Sequence, residues 1–194
     1  TASGPTIVQE FVDGVELGVF YLRYPNEERG QIFAITEKRL PFVVGDGKRT
    51  LEELILADAR APYAEATYRD RLEARLDRVP SVGERVPLAE LGTHCRGAIF
   101  LDGSRYRTPE LEDAIHTMSA SFEGFYFGRY DLKVQSLEHL RAGQGLRVIE
   151  LNGVTSEATS IYDPRNSLWT AYRVLFAQWR AAFEIGRQNR ARGA

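Results

Sequence analysis

Two stretches in the second half of the chain decide how it is expected to fold: residues 125–134, FYFGRYDLKV, and residues 146–152, LRVIELN. Both are rich in aromatic and β-branched residues, which is typical of β-strands. Side chains alternate between the two faces of a strand. The first stretch therefore places Arg129, Asp131 and Lys133 on one face, and Gly128, Tyr130, Leu132 and Val134 on the other.

The second stretch places Val148, Glu150 and Asn152 on one face. If the two strands pair, Asp131 comes close to Glu150 and Asn152. Carboxylate and amide oxygens suit a hard divalent cation such as Mg²⁺, and carboxylates this close repel each other unless a cation lies between them. The alternative is a solvent-facing strand face with ordinary surface charges, which the pattern alone favours, so the residues leave both interpretations open.

The rest of the chain alternates between strand and helix patterns. Further strands are predicted over residues 6–12, 16–24, 31–37 and 97–101, with a hairpin at Asp13-Gly14 and a polar loop over 136–145. Helices are predicted from Thr50, over 62–78, from Thr108 to Phe122 and after Asp163. The two helices before residue 80 lack a long apolar stripe and are expected on the surface. The sequence predicts an α+β fold, a largely antiparallel sheet with helices packed on it.

The last predicted helix has the strongest helical periodicity in the chain. Its apolar residues recur every three or four positions, which predicts that they face the core. These residues are Leu168, Tyr172, Leu175, Phe176, Trp179 and Phe183.

Composition excludes several classes of protein. The 194 residues carry a net charge of −2 and are 43% hydrophobic, which argues against disorder and against a nucleic-acid partner. No apolar run reaches the ~20 residues that span a bilayer, so no membrane partner is expected. A single cysteine, Cys95, excludes an intrachain disulfide and favours the cytoplasm. Three scattered histidines give no zinc spacing, and His94-Cys95 leaves a nucleophilic site as a minor alternative.

Four segments, in chain order, resemble the ATP-grasp superfamily of carboxylate–amine ligases. Residues 9–16, QEFVDGVE, look like the adenine-hinge strand and the ribose-binding glutamate. Residues 43–55, VVGDGKRTLEELI, are similar to a stretch of cyanophycin synthetases and bifunctional glutathione synthetases. Residues 128–131, GRYD, and 150–152, ELN, resemble the G-R-x-D strand and E-x-N metal motif of D-alanine–D-alanine ligases.

The resemblance implies a nucleotide site in the first part of the chain. Gln9, Glu10 and Val12 would contact the adenine of ATP, the last two through their backbone groups. Glu16 would bind the ribose hydroxyls, and Lys38 would reach a phosphate.

The resemblance also implies roles for the two strand motifs. Asp131, Glu150 and Asn152 would bind one or two Mg²⁺ ions, with Mn²⁺ as the alternative metal, bridging the nucleotide phosphates. Arg129 would be the catalytic residue that stabilises the transition state of acyl-phosphate formation.

By this resemblance, residues 1–186 are mainly the C-terminal lobe of an ATP-grasp domain, with a helical insertion at about 48–92, and residues 187–194 are a basic tail that frays. The family's first lobe does not precede Thr6, so we expect the chain to be part of a longer protein. The implied function is an ATP-dependent ligase that joins a small-molecule carboxylate to an amine through an acyl phosphate, in a homodimer. The alternative is a nucleotide-binding or scaffold domain without chemistry.

Overall fold

The structure is a computed structural model of the chain, and it describes residue 8 and residues 10–58, 68, 72–89 and 98–193. Within these ranges the strands are β1 Val15–Leu22, β2 Gln31–Arg39, β3 Phe42–Val44, β4 Arg85–Pro87, β5 Ile99–Asp102, β6 Phe127–Val134 and β7 Arg147–Asn152. The α-helices whose bounds are described are α1 Leu51–Leu56, α2 Pro109–Ala120, α3 Leu137–Arg141 and α4 Leu168–Ala191.

Five of the strands form one sheet in the order β5-β2-β1-β6-β7. Every neighbouring pair in it is antiparallel. β1 lies at the centre, between β2 and β6, and most residues of β1 and β6 are buried on both faces of the sheet. β7 lies at the edge. The predicted α+β fold, with a largely antiparallel sheet, is confirmed.

One face of the five-stranded sheet packs against α2 and α3 and forms the main core. The buried side chains of the strands on this face are Leu17, Val19, Tyr21, Ile32, Ile35, Tyr130, Leu132 and Val134. Leu111 and Ile115 of α2 and Leu140 of α3 pack against them. α2 begins as predicted, because the Thr108 side chain accepts a hydrogen bond from the Leu111 amide and Pro109 is the first helical residue.

α1 belongs to a second, smaller core rather than to the surface. Thr50 and Glu53 form the predicted capping box at its start. Leu51, Leu54 and Ile55 are buried, against the prediction of a surface helix. They pack with Val43 of β3, Tyr68, and Val86 and Leu88 around β4. Three apolar residues on one side of a six-residue helix are enough to bury it, although they are too few to form a long stripe.

Three element boundaries differ from the sequence prediction. Residues 8 and 10–12 are not in a strand, and the rest of the predicted strand over 6–12 lies outside the described residues. The predicted polar loop over 136–145 contains α3, because Ser136 caps it and Leu140 is buried in the core. Of the predicted helix over 62–78, residues 68 and 72–78 are described: Tyr68 and Leu72 are helical, and a 3₁₀ turn follows at Glu73–Arg75.

α4 begins at Leu168, with Ser167 as its N-cap, and not at Asp163. Asp163 instead accepts a hydrogen bond from the Asp102 amide at 2.7 Å and is paired with Arg165. Hydrogen bonds from Arg165 hold the pKa of the Asp163 carboxyl well below its usual range, although burial opposes this. The carboxylate therefore links β5 to the approach of α4.

α4 packs on the sheet with the side opposite to the predicted one. Its buried residues are Gln178, Ala181 and Ile185. The large apolar residues predicted to face the core are exposed, with Leu175 half-buried. The exposed ones are Leu168, Tyr172, Phe176, Trp179 and Phe183. The helix also continues through Ala191, beyond the start of the predicted basic tail at residue 187.

Candidate functional site

The second face of the five-stranded sheet carries a row of residues that crosses all five strands. From β5 to β7, the residues directly opposite one another are Asp102, Thr36, Gly18, Asp131 and Glu150. Residues directly opposite one another share a face. The strand order thus places Asp131 and Glu150, distant in the chain, on neighbouring strands at the same height.

The pairing on which the proposed metal site depends is therefore present. Arg129 and Asn152 are also directly opposite each other, two residues further along the same two strands. The Asn152 side-chain amide lies 3.4 Å from the Asp131 carboxylate. Asp131, Glu150, Asn152 and Arg129 consequently form a compact set at the β6–β7 edge of the sheet.

A β-bulge between β6 and β7 changes part of the predicted pattern. The register shifts between Asp131 and Leu132, so Leu132 opposes Val148 while Asp131 still opposes Glu150. Val148 therefore does not share a face with Glu150 and Asn152, as strict alternation predicted. A bulge inserts one residue into one strand, and sequence alternation alone cannot show it.

Asp131 lies at the centre of a charge network. Its carboxylate accepts hydrogen bonds from Arg129 at 2.8 Å and 3.1 Å, and the Lys38 ammonium lies 3.2 Å away. Lys38 also donates to Glu16 at 3.1 Å. The side chains of Lys38 and Asp131 are only 6% and 9% exposed. Buried charges are costly unless paired, and here two cations and two carboxylates alternate.

Gly18 makes room for this network, and no sequence pattern pointed to this role. A Cβ at position 18 would lie 3.1 Å from the Arg129 Cδ and 3.4 Å from an Asp131 carboxylate oxygen. The Arg129 guanidinium also donates to the Glu157 carbonyl at 3.0 Å. The Arg129 guanidinium is thus bound on one side by the Asp131 carboxylate and on the other by the backbone that follows β7.

The predicted adenine segment is attached to the same face through Lys133. The Lys133 ammonium donates to the Val12 carbonyl at 2.8 Å and lies 5.3 Å from the centre of the Phe11 ring. The Val12 carbonyl, one of the backbone groups predicted to contact adenine, thus already accepts a hydrogen bond from Lys133. Glu10 is exposed, and Gln9 lies outside the described residues. His94 and Cys95, the minor nucleophile alternative, also lie outside them.

The donor set suits a hard cation by its chemistry. Asp131 and Glu150 supply carboxylate oxygens, and Asn152 can turn its amide oxygen toward the same point, because the two ends of an amide are interchangeable in shape. In the part of the chain that the structure describes, no group of three or more His, Cys, Asp or Glu side chains could hold a metal ion. A metal here would depend on the asparagine and on phosphate or water oxygens.

A comparison with solved structures identifies a fold neighbour. It is a crystal structure of a bifunctional glutathione synthetase from Pasteurella multocida, with a TM-score of 0.53 and 15% sequence identity. The match covers 88% of this chain, which spans about a quarter (24%) of the length of that protein.

Comparisons of the sequence with protein families and with curated proteins found no match. No protein-family model matches the chain, and no curated protein matches it significantly. Among the described helices, none combines the length and apolar character that crossing a bilayer requires. At 15% identity the structural likeness shows the fold alone. The chain has an ATP-grasp-like α+β fold, with the charge network on the face of its sheet opposite the main core.

Proposed function

We propose that this chain is the Mg²⁺- and nucleotide-binding lobe of an ATP-dependent ligase that joins a small-molecule carboxylate to an amine. The observation that carries the proposal is the pairing of Asp131 with Glu150 on adjacent strands, next to Lys38 and Arg129. The ATP-grasp-like fold supports it, because the G-R-x-D and E-x-N motifs occupy those two strands.

In the proposed complex, Asp131, Glu150 and Asn152 hold Mg²⁺, and Mn²⁺ would suit the same oxygens. The bound ion would supply charge neutralisation on the nucleotide phosphates. Lys38 is placed to exchange part of its interaction with Asp131 for a phosphate oxygen. Glu16, the other partner of Lys38, would bind the ribose hydroxyls.

The proposed reaction has two steps. A substrate carboxylate oxygen attacks the γ-phosphorus of ATP, the bond to the β–γ bridging oxygen breaks, and ADP leaves. The amine nitrogen then attacks the acyl carbon, inorganic phosphate leaves and the amine loses a proton. Arg129 stabilises charge on the transferring group, and positioning and electrostatics do most of the work.

The adenine contacts complete the proposal. Glu10 and Val12 would meet the base through their backbone groups, together with Gln9. Because the Val12 carbonyl is bonded to Lys133, its amide N–H is the group left for the base. We further propose that the intact ligase works in the cytoplasm, as a homodimer.

Thermal unfolding with ATP and Mg²⁺ tests the nucleotide site. Ligand at 100 times its Kd stabilises a protein by about 2.7 kcal/mol, which for about 200 residues raises Tm by about 5–11 °C. We expect such a rise, its loss in EDTA, and a much smaller rise for Glu150→Gln. Glu123→Gln, an exposed glutamate in the turn before β6, is the matched control and should leave the rise unchanged. A rise that is the same with EDTA, or no rise at all, contradicts the proposal.

ADP release by the full-length protein, of which this chain is expected to be an inactive part, separates the ligase from a nucleotide-binding domain without chemistry. A panel of amino acids and dipeptides serves as carboxylate and amine donors, and hydroxylamine traps any acyl phosphate. Mg²⁺-dependent binding without ADP release across the panel would favour the scaffold function.

A further inference from the structure

Helix α4 exposes the largest apolar face that the described part of the chain contains. Six side chains of this face are each between 50% and 84% exposed. They are Leu168, Trp169, Tyr172, Phe176, Trp179 and Phe183. The opposite side of α4 packs on the sheet through Ala181 and Ile185. The aromatic face is therefore turned away from the domain.

The aromatic side chains of this face follow a regular spacing. Trp169, Tyr172, Phe176, Trp179 and Phe183 succeed one another at intervals of three and four residues in alternation, which is the a/d spacing of a helix that packs against another helix. The stripe is about 21 Å long at 1.5 Å per residue. At 150–250 Å² per aromatic side chain it exposes roughly 800 Å², which is about what each partner buries in a standard interface.

Charge is arranged on one side of the stripe only. Arg173, Arg180 and Arg187 each follow a d position by one residue, on the same flank, where coiled coils place their interhelical ion pairs. Arg187 is paired with Glu184 within α4, and the charge of Arg180 also acts on Glu184. The Arg173 and Arg180 side chains are both exposed.

The other flank of the stripe is neutral. The residues at the corresponding positions are Leu175, Ala182 and Asn189. An occupant of this face thus meets an apolar centre, a basic flank and an uncharged flank.

We propose that the aromatic face of α4 binds an acidic amphipathic helix of a partner protein. The apolar side of that helix lies along the stripe from Trp169 to Phe183. Its glutamates or aspartates lie beside Arg173 and Arg180. This partner surface is separate from the charged face of the sheet, and it does not depend on the proposed ligase function.

A second copy of this chain fits the face less well. Two copies of α4 in antiparallel contact would place the arginine flank against the same flank of the partner, so that like charges meet. In parallel contact the arginines would lie beside Leu175 and Ala182 of the other copy. Neither arrangement supplies a carboxylate for Arg173 or Arg180. The homodimer expected from the family would then use another surface.

An anionic lipid surface fits less well for a different reason. An interfacial helix keeps a polar side in water opposite its apolar side. Here the opposite side of α4 is packed on the sheet through Gln178, Ala181 and Ile185, and the arginines lie on one flank only.

Tryptophan fluorescence of the full chain tests the proposal directly. The chain contains two tryptophans, and both Trp169 and Trp179 lie on the aromatic face. The probe is a three-heptad helical peptide with leucine at a and d and glutamate at e and g; the matched control peptide carries lysine instead. We expect a saturable blue shift with the acidic peptide and at least tenfold weaker binding of the lysine peptide.

Two variants show which surface the peptide uses. Phe176→Ser should abolish the blue shift, and an unchanged Tm would show that this exposed position leaves the fold intact. Arg173→Glu combined with Arg180→Glu should reverse the preference toward the lysine peptide. Equal affinity for both peptides would overturn the proposal. A blue shift on anionic phosphatidylglycerol vesicles but not with the acidic peptide, or self-association that Phe176→Ser removes, would overturn it too.

Discussion

The two faces of the five-stranded sheet are made by alternate residues of the same strands, yet one carries the main apolar core and the other carries the charge network beside a smaller apolar cluster under α4. In β6, Tyr130 and Leu132 point into the apolar core, whereas Arg129 and Asp131 point into the charge network. Both sets are largely buried: Leu132 is fully buried, and the Asp131 side chain is 9% exposed. Burial alone therefore does not separate the two faces.

The difference lies in what burial does on each face. On the apolar face, removing side chains from water stabilises the fold by about 25 cal/mol per Å². On the charged face, removing Lys38 and Asp131 from water costs several kcal/mol per ion, and their pairing only offsets that cost. A buried charge network that adds so little to stability is more simply explained by what it binds, which is why the proposed function is placed there.

The largest effect is expected on the apolar face. Leu132→Ala should lower the free energy of unfolding by about 4 kcal/mol, because the side chain is fully buried in a central strand and leaves a cavity. Chemical denaturation measures this change. Leu151→Ala on edge strand β7, where the leucine is exposed, is the matched control and should cost about 1 kcal/mol or less. Equal costs would show that the sheet does not have the core described here.

On the charged face, Asp131→Asn should cost about 3 kcal/mol, the lower end for removing one partner of a buried ion pair, because Glu16 still pairs with Lys38. It should also abolish the Mg²⁺-dependent rise in Tm. The control is Asp113→Asn, which breaks an exposed pair with Arg29 and should cost below about 1 kcal/mol. A variant that is destabilised yet keeps the full Mg²⁺ effect would make Asp131 purely structural.

The faces of β6 were predictable from sequence because alternation in a central strand is strict. The position of Glu150 was predictable only in part. The motif identified the residue, but its pairing with Asp131 depends on a register and a bulge that no local pattern reports.

α4 shows a second limit of sequence reasoning. Helical periodicity identifies an apolar stripe, but it does not say whether that stripe faces the domain or a partner. The helix instead buries Gln178, whose side chain accepts from the Ala158 amide at 2.8 Å and donates to the Ser156 carbonyl at 3.0 Å. A glutamine that satisfies two backbone groups can be buried at little cost, and hydrophobicity alone gives no sign of it.

A substitution at Gly18 perturbs the charged face of the sheet without changing any charge. Gly18→Ala adds a methyl group 3.1 Å from the Arg129 Cδ, while alanine also favours the strand by about 0.5–1 kcal/mol. Because these effects oppose each other, stability should change by less than about 1 kcal/mol, while the displaced Arg129 and Asp131 should reduce the Mg²⁺-ATP rise in Tm. Gly153→Ala, where a Cβ meets nothing within 4 Å, is the control that should keep the rise. If Gly18→Ala kept the full Mg²⁺-ATP rise in Tm, nucleotide binding would not depend on the exact positions of Arg129 and Asp131.

The smallest effect comes from a titratable ring beside the apolar face, His116 of α2. Its Nδ1 lies 3.0 Å from the Tyr21 hydroxyl and accepts a hydrogen bond from the Gly30 amide at 3.4 Å. Burial lowers the pKa of His116, and the positive charges of Arg29 and Arg23 lower it further. The folded-state pKa is thus below the unfolded value of 6.5, so the unfolded chain binds a proton first as the pH falls.

The lowered pKa of His116 in the folded state predicts how stability depends on pH. Stability is unaffected by His116 above the unfolded pKa and decreases as the pH falls through it toward the folded pKa. His116→Gln keeps an acceptor for the Gly30 amide but cannot be protonated. Between about pH 7.5 and about pH 5.5, Tm should therefore fall less in His116→Gln than in the unaltered chain, with other titrating groups cancelling in the difference. The same fall in both proteins would show that the ring is protonated equally in the folded and unfolded states, and that this edge of the apolar face is open to water.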